Sequence, residues 1–234
     1  MLTKKLNGIN LLYQQGQLKE ALQLTEQTLI LFPEHPVLLE QAGKFSSLIN
    51  NQLAAVDYFQ KLSEVDSNNA NVHYNLGCLL KKQNRFDNAE ASFKKALALR
   101  ADFVEVVYNL ACLFQEQKRY TEAEAAYQKA LILRPEHADL YNALAYVLQM
   151  QKRYIEAEQA YRTAIKLQPD YAEVYSNLAS LYIEQKRYQE AESAYQTVIK
   201  LRPDFAKVHN NLGNLLKQQK RYKEAEDFFQ TALI

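Results

Sequence analysis

Residues 172–205 read AEVYSNLASLYIEQKRYQEAESAYQTVIKLRPDF, and variants of this 34-residue stretch recur along the chain. The tripeptide Lys-Arg-Tyr returns every 34 residues, at 118–120, 152–154, 186–188 and 220–222. A fixed period of this length is typical of repeat folds, so we predict one array over residues 1–234. The predicted repeats are 2–35, 36–69, 70–103, 104–137, 138–171, 172–205 and the incomplete 206–234.

The apolar residues inside each repeat are spaced as in α-helices. In residues 172–205 they recur at steps of three or four, first at Val174, Leu178, Leu181 and Tyr182, then at Tyr188, Ala191, Tyr195 and Val198. This spacing predicts two amphipathic helices per repeat. Asp170 and Glu173 predict a capping box at the start of the first helix. The chain has only five glycines and five prolines, too few for the turns of a β-sandwich, so we predict an all-α fold.

Three repeat positions, counted from the first residue of each repeat, predict how the helices pack. Position 20 is alanine throughout, and position 8 is small in six repeats. Position 24 is aromatic in the same six repeats: Phe59, Phe93, Tyr127, Tyr161, Tyr195 and Phe229. We expect the rings to fill the space beside the small residues. A single pair of helices could not bury its apolar face alone, so neighbouring repeats must stack.

These positions, together with Pro135, Pro169 and Pro203 at position 32, resemble the tetratricopeptide repeat. The resemblance implies a right-handed superhelical solenoid of seven tetratricopeptide helix-turn-helix repeats. It also implies that the first helices line a concave groove that binds a protein or peptide. Lysine replaces the frequent loop glycine in four repeats, at a cost of about 1 kcal/mol each if its φ is positive.

Composition and motifs argue against several other classes of function. A net charge of +1 does not suggest nucleic-acid binding. No apolar run could cross a membrane or serve as a signal peptide, so we expect a cytoplasmic protein. The four histidines follow the repeat, and Cys78 and Cys112 are too few for a zinc site. We therefore expect no enzyme activity, no metal and no cofactor.

Position 6 suggests where a peptide binds. Five of its seven residues are asparagine, although asparagine is a mediocre helix former. Each amide can both donate and accept a hydrogen bond, so a row of them could pair with the main chain of an extended peptide. Tyrosines at positions 5 and 9 suggest a partly aromatic groove. The predicted peptide-binding residues are Asn75, Asn109, Asn177, Asn211, Asn7, Gln41, Tyr74, Tyr108 and Tyr146.

The row of amides resembles that of the O-linked N-acetylglucosamine transferases, in which asparagines hold the main chain of protein substrates. The resemblance breaks at Ala143, and no glycosyltransferase domain is present. Position 5 has no lysine, so the carboxylate clamp of co-chaperone repeats is not expected. The alternative is that each asparagine bonds within its own repeat, and the tyrosines only pack between helices.

Three other functions stay open. The chain could be the substrate-recruiting part of a larger enzyme, such as a glycosyltransferase, since it ends within a repeat. The last repeat, ending at residues 228–234 without a capping helix, could instead mediate self-association. RNA binding is a further alternative, because helical repeats can read bases.

Overall fold

The computed structural model describes residues 1–232, and these contain fourteen α-helices and no β-strand. The helices form seven helix-turn-helix hairpins, which confirms the predicted all-α repeat fold. The first helices are α1 (Leu2–Gln14), α3 (Pro36–Leu48), α5 (Ala70–Lys82), α7 (Val104–Glu116), α9 (Ala138–Met150), α11 (Ala172–Glu184) and α13 (Ala206–Gln218). The second helices are α2 (Leu18–Leu29), α4 (Gln52–Val65), α6 (Phe86–Leu99), α8 (Tyr120–Leu133), α10 (Tyr154–Leu167), α12 (Tyr188–Leu201) and α14 (Tyr222–Thr231).

The chain divides into two compact units, an N-terminal unit of residues 1–113 and a C-terminal unit of residues 114–234. In the N-terminal unit, each helix from α1 to α6 packs on the next one along the chain. In the C-terminal unit, α8 to α14 pack in the same sequential manner. Contacts between neighbours in sequence are the mark of a repeat protein. One continuous array over residues 1–234 stays a prediction.

The turn inside each hairpin contains one residue with positive φ at position 15. Gly16 occupies it in the first repeat and asparagine in the next two, whereas Lys118, Lys152, Lys186 and Lys220 occupy it in the last four, with φ between 59° and 64°. The next residue's N–H bonds back to the helix, as when Arg187 N donates to the carbonyl oxygen of Tyr182 at 2.8 Å. This is a Schellman-type helix end, which favours glycine. The lysines therefore occupy a strained conformation.

The small residues of positions 8 and 20 lie at the helix contacts. The alanines of position 20 are at most 2 % exposed. Gly43 at position 8 faces the ring of Phe59 at position 24 of its own repeat, and an added Cβ would lie 2.7 Å from that ring. The predicted fit between a ring and a small residue is therefore present in the three hairpins that have glycine at position 8 and phenylalanine at position 24.

A repeated ion pair connects second helices of the C-terminal unit to the turn inside the next hairpin. The position-16 arginine of one repeat contacts the position-21 glutamate of the preceding repeat at 2.6 Å, in the pairs Arg153–Glu124, Arg187–Glu158 and Arg221–Glu192. Each arginine also binds the glutamate three residues further on: Glu156, Glu190 and Glu224. Fork-shaped guanidinium groups suit such double pairing.

The predicted capping box at Asp170 is wrong: Tyr171 is the N-cap of α11, without a side-chain hydrogen bond, so Asp170 lies one residue too early. His73 and His209 are buried, and their Nε2 atoms bond to the carbonyl oxygens of Ser67 (2.9 Å) and Pro203 (2.8 Å). These histidines hold the turn that precedes their helix.

Candidate functional site

One face of the first helices of the N-terminal unit encloses a cleft of about 480 Å³. Helices α1, α3 and α5 supply most of its lining, and α4 contributes Phe59. We call it the N-terminal cleft, and it is lined by Asn10, Tyr13, Gln41, Lys44, Phe45, Ser47, Leu48, Phe59, Asn75, Cys78, Leu79 and Lys82. These are positions 6, 9, 10, 12 and 13 of the first helices, which follow one helical face.

The C-terminal unit has a cleft of about 370 Å³ at corresponding positions. Helices α11 and α13 form it, and α12 contributes Tyr195, which occupies the same repeat position as Phe59. We call it the C-terminal cleft, lined by Ser176, Asn177, Ser180, Ile183, Tyr195, Lys207, Asn211, Asn214, Leu215 and Gln218. The repeat therefore builds the same kind of surface in both units.

Four of the predicted amides are brought together in pairs by the two clefts: Gln41 with Asn75, and Asn177 with Asn211. In the N-terminal cleft, Gln41 Nε2 donates to Asn10 Oδ1 at 2.8 Å. Gln41 Oε1 is shielded from solvent and accepts no hydrogen bond from residues 1–232. A buried acceptor without a donor is costly, so this oxygen is available to a further partner.

The amides of the C-terminal cleft already have partners within the protein. Asn177 Nδ2 donates to Asn142 Oδ1 of the preceding repeat at 3.0 Å. The side chain of Asn211 hydrogen-bonds to Tyr195, where the bond opposes the rise in the Tyr195 pKa that burial causes. These amides keep part of their hydrogen-bonding capacity, because a carboxamide has two donors and an acceptor.

Asn109 is held by both its own repeat and the preceding one. Its Nδ2 donates to the carbonyl oxygen of Glu105 at 2.8 Å and lies 3.5 Å from the hydroxyl of Tyr74. Tyr74 is half-buried against the rings of Phe93 and Phe103. Burial raises the pKa of Tyr74 to about 12, so its hydroxyl stays protonated near neutral pH.

The other predicted residues lie apart from the two clefts. Asn7 is exposed on α1 and does not line the N-terminal cleft. Tyr108 and Tyr146 are 37 % and 38 % exposed, on α7 and α9. Their rings are thus open enough to contact a ligand. Their assignment as peptide-binding residues stays a prediction.

Among the described residues, the clefts contain little that could carry out chemistry. No group of three or more His, Cys, Asp or Glu side chains in residues 1–232 could hold a metal ion. Cys78 lines the N-terminal cleft, and burial raises the pKa of its thiol, which disfavours the reactive thiolate. No helix within residues 1–232 has the length and apolar character needed to span a membrane.

Positions 10, 12, 13 and 24 supply most of the apolar and charged lining, and none of them is among the residues predicted from the sequence. Tyr13, Leu48 and Lys82 belong to positions 12 and 13, and Phe59 to position 24. Helical spacing from positions 6 and 9 indicates positions 10, 12 and 13, because residues three or four apart share a face. The ring of Phe59 belongs to a second helix, so no spacing within the first helix indicates it.

Sequence comparison identifies the repeat. Two models described as tetratricopeptide repeat match the chain, one at residues 74–132 and 108–172, the other at residues 148–210 and 182–234. No curated protein sequence matched the chain.

Solved structures with the same fold include three proteins that cover most of this chain. A tetratricopeptide repeat protein from Parabacteroides merdae is 17% identical, with a TM-score of 0.79 over 98% of this chain and 91% of its own. PilF of Pseudomonas aeruginosa is 22% identical, with a TM-score of 0.68 over 82% of this chain and 88% of its own. YrrB, described as having an unusual peptide-binding site, is 23% identical, with a TM-score of 0.59 over 76% of this chain and 92% of its own.

The seven hairpins, the positions of their small and aromatic residues, and the matching family models agree with one another. The chain belongs to the tetratricopeptide repeat family.

Proposed function

We propose that this protein is a non-catalytic scaffold that binds an extended segment of a partner protein along its first helices. Tetratricopeptide repeats are in general protein–protein interaction modules without catalytic activity. The observation that carries the finer proposal is the recurrence of one surface in both units: a cleft with two position-6 amides, apolar side chains and an aromatic floor.

The chemistry of the clefts suits an extended chain. A peptide in extended conformation presents N–H and C=O groups at regular intervals, and carboxamides can pair with both. Apolar lining residues that keep exposed surface, such as Leu48 and Ile183, can cover side chains of the bound segment. A preformed surface of this kind needs little rearrangement to bind.

The test begins with selection of peptides from a random library on the full chain. Fluorescence anisotropy then measures the affinity of a selected peptide for the parent and for variants. We expect the double variant Asn109→Ala with Asn177→Ala to bind at least tenfold more weakly. Both side chains also bond within the protein, so thermal unfolding is measured in parallel. A midpoint within a few degrees of the parent assigns the loss to binding.

The control is the double variant Asn68→Ala with Asn88→Ala, because both residues are exposed outside the first helices. It should bind like the parent. Unchanged binding by the Asn109 and Asn177 variant would show that those amides are structural. Failure to select any peptide would contradict the proposed function itself.

A further inference from the structure

We propose that the N-terminal cleft selects the ligand, and that it takes an extended peptide whose large apolar side chain lies next to a carboxylate. The apolar side chain would enter the cleft, the carboxylate would pair with Lys82, and the main chain would bond to Gln41 and Asn75. This inference rests on the proposed function and names the peptide class.

The apolar part of the ligand follows from the side chains that the cleft leaves uncovered. Tyr13 is 50% exposed and Leu48 is 57% exposed, although both line the cleft. The ring of Tyr13 lies 5.3 Å from that of Phe45, so together they form one aromatic wall. A bound leucine or phenylalanine side chain would cover this wall and remove apolar surface from water.

The main-chain contacts follow from hydrogen bonds that the protein leaves unmade. Gln41 Oε1 has no donor in the described part of the chain, and the amide of Asn75 lines the same cleft. A small rotation of Gln41 would bring its oxygen to a peptide N–H. The binding of a donor would remove the cost of a buried, unpaired acceptor.

The preference for a carboxylate follows from the charges around the cleft. Among the described residues, Lys44 and Lys82 are the charged side chains that line it, and no Asp or Glu does. Lys44 already pairs with Glu40 at 2.6 Å. Lys82 is exposed at the end of α5 and forms no ion pair with a residue in 1–232, so its charge is available to a ligand.

The C-terminal cleft differs in its amides, its size and the polarity of its lining, although it too is lined by a lysine. Its amides have internal partners, its volume is smaller, and Ser176, Ser180 and Asn214 make its lining more polar. Lys207 is its single charged lining residue, which makes Lys207→Glu a matched control for charge reversal.

The test begins with peptides of twelve random residues selected on the full chain. We expect enriched peptides to carry Leu, Phe, Ile or Met within two residues of Asp or Glu. Lys82→Glu should weaken binding of such a peptide at least tenfold, whereas Lys207→Glu should change it less than twofold. A second peptide, with lysine in place of the acidic residue, should bind the Lys82→Glu variant more tightly than it binds the parent protein.

A second variant, Gln41→Leu, probes the main-chain contact. It should weaken binding of the acidic peptide and of its uncharged analogue by the same factor, at least threefold, with circular dichroism unchanged. Peptides that are enriched without an acidic residue, or that lose affinity through Lys207→Glu instead, would overturn this inference and leave the proposed function standing. Enrichment of no peptide would overturn both.

Discussion

The ring of Phe93 occupies the space that a side chain on Gly77 would need. A Cβ added to Gly77 would lie 2.6 Å from Phe93 Cε1, closer than non-bonded carbon atoms approach. Gly43–Phe59 and Gly213–Phe229 repeat the relationship. In the repeats where position 8 is alanine, position 24 is tyrosine: Ala111 with Tyr127, Ala145 with Tyr161, and Ala179 with Tyr195. Position 8 and the ring at position 24 therefore vary together.

We expect Gly77→Ala to lower the free energy of unfolding by about 1–3 kcal/mol, because overpacking forces the ring or the helices to move. Urea denaturation measures the change. Adding Phe93→Leu should recover part of the loss, since the smaller side chain makes room for the new methyl group. Equal stability of Gly77→Ala and the parent would show that the ring shifts without cost.

We expect Lys186→Gly to raise the free energy of unfolding by roughly 0.5–1 kcal/mol. Lys186 has a φ of 60°, where a side chain is strained, and glycine removes that strain at some cost in chain entropy. Lys166→Gly in the last turn of α10 is the control, and it should lower the free energy of unfolding by about 1 kcal/mol. Guanidinium denaturation of both variants measures the two changes, which should have opposite signs.

We expect stability to fall between about pH 5 and pH 2, partly through Glu158. Hydrogen bonding to Arg187 lowers the pKa of Glu158 from 4.5 to about 2. A carboxyl whose pKa is lower in the folded state stabilises the fold above its ordinary pKa, and that contribution is lost as acid protonates it. Thermal unfolding midpoints across this pH range measure the loss.

Glu158→Gln should lower stability by roughly 1–3 kcal/mol near pH 7 and flatten the acid dependence. The exposed Glu136→Gln is the control and should leave both unchanged. An acid profile of Glu158→Gln that matches the parent would mean that other carboxylates cause the acid sensitivity.

We expect Tyr161→Phe to cost about 1–3 kcal/mol of unfolding free energy, because it leaves a buried acceptor without its donor. The hydroxyl of Tyr161 donates to Gln149 Oε1 at 3.0 Å, and both side chains are buried. Tyr222 is 62% exposed, so Tyr222→Phe should change stability little. Urea denaturation compares the two variants, and similar effects would argue against a role for the buried hydrogen bond.

The amino-acid sequence alone predicted the all-α fold, the helical hairpins and the tight fit at positions 8, 20 and 24. A 34-residue period exposes these features because each repeat makes the same local contacts as the one before it. The same period placed four predicted amides, Gln41, Asn75, Asn177 and Asn211, in the two clefts.

Only the tertiary structure decided which of those amides are already bonded. Asn177 reaches Asn142, which lies 35 residues earlier, whereas Gln41 Oε1 finds no donor within residues 1–232. Such partners depend on the distance between stacked helices and on side-chain conformation, neither of which follows from helical periodicity. The ring of Phe59 reaches the N-terminal cleft for the same reason: packing across helices brings it there, and no pattern within one helix encodes it.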